Sequence, residues 1–299
     1  MIPAASLWIV FTLLAAAGQT ARNAMQRELT AALGTVGATH VRFLFGFPFA
    51  LVFLAGVLIV TGLPVPKPGP AFAAWIVLGA GAQIIATATM LMAMNDRSFV
   101  VTIAYIKTEA IQAAVFGLIF LGDPLTLPIL AAIVVATAGV VLMSFKPGAK
   151  VAGGLKPTLI GLFSGAMFAL SAVGYRGTIL SLELPSFVLA ATFTLAVGLM
   201  LQSAVLTLYL LLRDRGVLTE IARAWRPSLF AGFMGATASQ FWFLAFALTT
   251  VANVRTLALV EVLFAQAISY FVFKQNTTPR EAFGMSLIVA GVALLIWVQ

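Results

Sequence analysis

Two glutamates stand 152 residues apart in a chain with only nine carboxylates, and both lie deep in apolar sequence. Glu109 and Glu261 each sit about eleven residues into such a run, so a helical rise of about 1.5 Å per residue sets each carboxyl roughly 15 Å in. An ionisable group at that depth in a bilayer is costly and faces either a partner or a water-filled cavity. Its chemistry is then proton exchange, attraction of a ligand ammonium, or permanent protonation with a hydrogen bond to a backbone carbonyl. The residues alone leave these three open. Lys107 is turned about 200° from Glu109 around a helix, and either contacts a substrate or pairs with another helix. Tyr105, Glu109, Gln112 and Phe116 recur at helical spacing and form one polar-aromatic face.

Smaller polar groups repeat a related pattern. Thr12, Gln19 and Asn23 share one helical face, and Ser164, Phe168, Ser171 and Tyr175 share another. Gln83 with Thr87, and Ser239, Gln240 and Trp242, add further polar points. Such groups either bind membrane helices together or line a cavity. Gly161 and Gly165 favour close helix packing over ligand contact. His40 and Arg42 read as an interfacial pair at a span end, or as a cavity mouth that meets a substrate carboxylate. Enzyme chemistry finds no support: one His and no Cys leave neither a recognisable metal cluster nor a nucleophile–His pair. No Gly-Lys-Ser/Thr phosphate cradle is present. The expectation is a protein that is not an enzyme and takes no cofactor or metal.

The elements that must hold these groups are membrane helices. The chain is 62% hydrophobic and 9% charged, with a mean hydropathy of +1.10, against about 25% charged residues in a soluble domain. Ten apolar runs, each near the roughly 20 residues a helix needs to cross a bilayer, lie at 4–22, 36–61, 70–94, 98–120, 125–145, 157–179, 186–212, 227–249, 252–273 and 279–298. The predicted fold class is therefore an all-α integral membrane protein of ten transmembrane helices. The first run has no basic leader and reads as a retained helix. The segment from Arg213 to Pro227 has room for a short amphipathic helix, and Trp75 and Trp225 read as interfacial markers. The net charge of +8 comes from residues in short loops, so the expected partners are the lipid bilayer and a small-molecule substrate, with no nucleic acid, for a chain that is monomeric.

Sliding the sequence by 152 residues lays Glu109 on Glu261, Thr126 on Thr278 and Ala138-Gly139-Val140 on Ala290-Gly291-Val292. The units are a first repeat at 1–147, a linker at 148–156 and a second repeat at 157–299. Five helices per unit is an odd number, so the second enters the membrane from the opposite side. Inverted repeats of this kind are typical of secondary transporters, with a midplane site where the repeats meet.

The run Thr108-Glu109-Ala110, then Leu121-Gly122-Asp123-Pro124-Leu125-Thr126, then Ala138-Gly139-Val140-Val141-Leu142 resembles the end of an EamA repeat. Such repeats build the ten-helix transporters of the drug/metabolite transporter superfamily. The resemblance spans both halves and implies alternating-access export of small metabolites, amino acids (aromatic ones included) foremost, as in YddG-type exporters of the bacterial inner membrane. The alternatives are a multidrug or cationic-compound exporter and, in a different class, a non-transporting membrane enzyme or assembly factor. The chain departs from the family where Ala110 and Val262 follow the glutamates in place of Pro, and where Lys274-Gln275-Asn276 replaces Gly122-Asp123-Pro124. Candidate substrate contacts are Gln19, Gln83, Tyr105, Lys107, Ser171, Tyr175 and Trp242, with Glu109 and Glu261 as coupling or cavity carboxylates. Counting loops alternately gives 12 basic residues on one side against Lys67, Arg176 and Arg255 on the other. The positive-inside rule then places both termini outside the cytoplasm, whereas the resemblance implies cytoplasmic termini.

Overall fold

Apolar sequence folded in lipid must satisfy its own backbone, and helices do so within a single segment. The computed structural model describes residues 6–96, 105–144, 155–271 and 278–298, and every regular element among them is helical. The order is α1 (Leu7–Leu44), α2 (Gly46–Thr61), α3 (Pro70–Asp96), a short helical piece at 105–107, α4 (Glu109–Leu121) and α5 (Leu127–Ser144). There follow α6 (Leu155–Leu180), α7 (Phe187–Arg213), α8 (Arg215–Arg223), α9 (Trp225–Leu248), α10 (Val251–Leu257), α11 (Glu261–Phe271) and α12 (Pro279–Trp297). Six stretches are long and apolar enough to cross a membrane, among them Pro70–Ala93, Phe187–Arg213 and Pro279–Trp297, and Leu7–Thr20 and Leu127–Met143 are shorter apolar helices. The chain is an all-α, multi-pass membrane protein.

Its surface is apolar as well as its core, and the charges it carries within the membrane are kept inside. Only Gly46 and Ala50 of α2 are buried, and Val52, Ile59 and Val60 stand outward, apolar on every side as lipid requires. Inside lie Arg42, Lys107, Glu109, Arg255 and Glu261. The most extensive packing joins α3 to α6, α1 to α9 and α5 to α12. Glycines permit it: a Cβ on Gly174 would fall 2.7 Å from the Gly79 backbone, and one on Gly139 would fall 2.5 Å from the Gly284 carbonyl. Small residues let membrane helices approach closely, which replaces the hydrophobic drive they lack in lipid.

The threonines brought together by the 152-residue offset both start helices. Thr126 accepts the Ile129 N–H at 3.5 Å ahead of α5. Thr278 caps α12 in a reciprocal pair with Glu281. The segment after Arg213 holds α8, which turns Val217, Leu218 and Ile221 onto Leu29, Leu33 and Leu210, as its amphipathic sequence predicts.

Two expectations change. The stretch between the runs 4–22 and 36–61 is helical and not a loop. Its Ala, Leu, Glu and Arg are strong helix formers, and the chain redirects only at Gly34, whose φ of 67° glycine tolerates. The runs 98–120 and 252–273 are not continuous helices where they are described: the first tightens at Thr108 and the second at 258–260, while 98–104 and 272–273 lie outside the described residues. Trp75 packs on α6, where its ring occupies the space a Gly177 side chain would need. Trp225 is half exposed, with Arg226 over its ring at 5.4 Å. Lys274, Gln275 and Asn276 lie outside the described residues.

Candidate functional site

Both sequence-marked glutamates open a helix directly after a tightened turn. Thr108 N–H donates to the Tyr105 carbonyl at 3.3 Å and Ile111 N–H to the Thr108 carbonyl at 3.1 Å, three residues back in place of four. The Thr108 hydroxyl also donates to the Tyr105 carbonyl at 2.6 Å. In the second half Ala258–Val260 form a 3-10 turn, and the Glu261 N–H points to the carbonyls of Ala258 and Leu259. No proline follows either glutamate, yet the helix changes pitch at both. Short 3-10 stretches inside a longer helix commonly mark functional hinges. Gly161 and Gly165 seat the first turn, since side chains there would press on Tyr105 and on the Ile106 carbonyl.

The turns aim both carboxylates into one cavity that is partly open to solvent. Gln19 and Arg42 of α1, Gln83 and Met90 of α3, and Ile106, Lys107 and Glu109 wall one part of it. Phe168, Ser171 and Tyr175 of α6, Ser239, Trp242, Phe243 and Phe246 of α9, Arg255 and Glu261 wall the rest. Two ion pairs span it. The Lys107 ammonium pairs with Glu261 Oε1, and Arg255 Nη1 lies 3.6 Å from Glu109 Oε1. Lys107 thus reaches a glutamate 154 positions ahead although it cannot share the face of its neighbour.

Hydrogen bonds extend the first pair. The Gln19 amide donates to Glu261 Oε2 at 3.4 Å and accepts the Trp242 indole N–H at 3.0 Å. The Arg255 guanidinium lies over Trp242 and Phe246, 4.9 and 5.4 Å from the ring centroids. On the facing wall the Tyr175 hydroxyl donates to Gln83 Oε1 at 2.9 Å, and Gln202 donates to the same oxygen at 2.8 Å. Arg42 donates to the Thr87 hydroxyl at 3.3 Å. The site can therefore offer cations, carboxylates already engaged, and aromatic faces.

Of the sequence-marked residues, Gln19, Gln83, Lys107, Ser171, Tyr175, Trp242, Glu109, Glu261 and Arg42 line this cavity. Two candidates do not. His40 turns away from the cavity mouth to Thr207 of α7 at 3.0 Å, because its position on α1 faces α7. Tyr105 is not a lining residue, since its side chain packs on the bare backbone of Gly161. Several polar stripe residues serve packing. Thr12 bonds the Trp8 carbonyl, Ser164 the Ala86 carbonyl, and Gln240 the Thr192 hydroxyl. The side chain of Asn23 lies outside the described residues.

Arg255 and Arg176, read from the sequence as loop residues, are helical and held inside. Arg255 falls three residues inside the run 252–273, and that depth was the available signal. Arg176 of α6 donates to the carbonyls of Phe246 and Thr249, both at 2.5 Å, and pairs with Asp123 at 3.5 Å. It ties α6 to the turn after α4 and to the end of α9.

No family model and no curated protein matches the chain. A solved structure described only as "Crystal structure of protein" superposes with a TM-score of 0.72 at 16% identity, covering 98% of this chain and 96% of that one. At that identity the likeness bears on the fold alone. Fold and site together define a multi-pass helical membrane protein built around a charged, aromatic-walled cavity.

Proposed function

We propose that this protein is a secondary transporter that exports small metabolites, amino acids among them, by alternating access between two inverted five-helix repeats, ten spans in all. The observation that carries the reading is the pair of ion pairs across the cavity. Each joins a glutamate of one sequence half to a cation of the other. Such contacts hold one arrangement of the halves together and must be remade when the halves rock. The tightened helices beside both glutamates fit this reading, because transporter sites are typically built on interrupted helices. Packing of α3 on α6 and of α1 on α9 gives each half a mirrored interface with the other.

The test is counterflow in proteoliposomes that contain only this chain, with a panel of labelled amino acids, organic anions and quaternary cations. Exchange of at least one class supports transport; folded, binding-competent protein that moves none overturns it in favour of a membrane enzyme or assembly factor. The topology proposal sharpens as well. Twelve basic residues on one side against three on the other favour termini outside the cytoplasm of a bacterial inner membrane by the positive-inside rule. The chain has no cysteine, so single cysteines added at either terminus report sidedness cleanly. Labelling by an impermeant reagent in intact cells is expected, and labelling only after lysis reverses the orientation.

A further inference from the structure

The cavity wall carries more positive than negative groups. Arg42, Lys107 and Arg255 face it, against Glu109 and Glu261. Lys107 and Arg255 are matched to the two carboxylates. Arg42 has no carboxylate partner among the described residues. It is 5% exposed, touches the neutral hydroxyl of Thr87 and lies beside the Phe43 ring at 5.2 Å. Its Nε, one of five donors on a group that stays protonated, has no acceptor. A buried charge is retained at high cost unless something pairs with it, and within a membrane such a residue marks a ligand or ion path.

The same wall offers little free negative charge to a ligand cation. Both oxygens of Glu261 are engaged, one by Lys107 and the other by Gln19. An ammonium at Glu109 would compete with Arg255, whose Nη1 lies 3.6 Å from Oε1. The cavity that Arg42 faces also has aromatic lining, with Phe168, Trp242, Phe243 and Phe246. These rings suit a flat or branched apolar body.

We infer that the ligand of this cavity is an organic monoanion, a carboxylate on an aromatic or branched apolar body with no ammonium group, and that Arg42 is the residue that receives the carboxylate. The inference rests on the transporter reading for the purpose of the site but replaces amino acids with organic monoanions as its substrates, while the binding chemistry can be measured apart from flux.

Three probes share one skeleton and differ in charge: 3-phenylpropionate, phenylalanine and 2-phenylethylamine. Binding to the full chain in nanodiscs is read as thermal stabilisation, which rises with ligand concentration over Kd, and flux as exchange in proteoliposomes. The expected order is 3-phenylpropionate first, phenylalanine weaker by about ten-fold or more, and no effect of 2-phenylethylamine. Arg42→Gln is expected to lose about 100-fold in affinity for 3-phenylpropionate, and Arg42→Lys to keep part of it. Phenylalanine or 2-phenylethylamine binding ahead of the anion, no binding of any probe, or undiminished anion binding in Arg42→Gln would each overturn the inference. Should Arg42→Gln fail to fold, the wild-type ranking and Arg42→Lys still decide. Anion binding without flux sinks the transporter reading and leaves the anion site intact. Flux that favours the zwitterion or cation does the reverse.

Discussion

Glu109 and Glu261 occupy equivalent places in the sequence, each opening a helix behind a tightened turn, but their surroundings differ. Glu261 has both oxygens engaged, by a close Lys107 ammonium and by Gln19, itself anchored by Trp242. Glu109 faces the Arg255 guanidinium at 3.6 Å, and that cation is shared with two aromatic faces. Similar local backbone thus carries unequal chemistry. Under the transporter proposal, the saturated carboxylate would lock the halves and the loosely held one would exchange partners as they rock. Burial alone would not separate them, since both are nearly inaccessible; the partners do.

The strongest way to break this comparison is to unpair Glu261. Lys107→Met leaves a buried carboxylate with no cation and should cost about 3–5 kcal/mol, the usual penalty for removing one partner of a buried pair. Adding Glu261→Gln should restore most of the lost apparent melting temperature in detergent, and a double variant no better than the single would remove the pair from the stability account. Next in size is Glu109→Gln. Its stability loss should be about 1–2 kcal/mol, because Arg255 keeps its ring faces. Proton-driven flux should vanish while substrate counterflow survives, whereas Glu261→Gln should lose both along with folded yield. Identical behaviour of the two variants would erase the distinction. The smallest effect is expected from Trp242→Phe, which keeps a ring under Arg255 but removes the donor to Gln19. A loss of about 1 kcal/mol, abolished when Gln19→Ala is already present, would assign Trp242 to the Glu261 side of the cavity.

The sequence made the helical membrane character legible because composition and run length constrain it directly. The two glutamates were legible for the same reason, as charge is rare and expensive in apolar runs. What it concealed was direction. Helical spacing placed Lys107 away from Glu109 but gave no means of seeing that it crosses to Glu261. Arg255 was misread because a cation near a span end usually belongs to water, and here the helix holds it among rings. His40 and Tyr105 were chemically plausible and geometrically wrong, since a shift of one or two positions along a helix turns a side chain to another neighbour. The pitch change at Thr108 was hidden as well. Without proline, nothing in the local sequence signals three-residue hydrogen bonding there.

One further feature bears on how the proposed transporter would be tuned. α5 and α12 meet backbone to backbone, Gly139 against Gly284 and Gly291 against Ala136, and neither helix contributes to the cavity wall. The seam is an axle separate from the load. Substituting alanine at one of these glycines would pry the axle apart by about the width of a methyl group, altering the travel of the halves and the speed of the cycle while the wall chemistry that selects the cargo stays as it was.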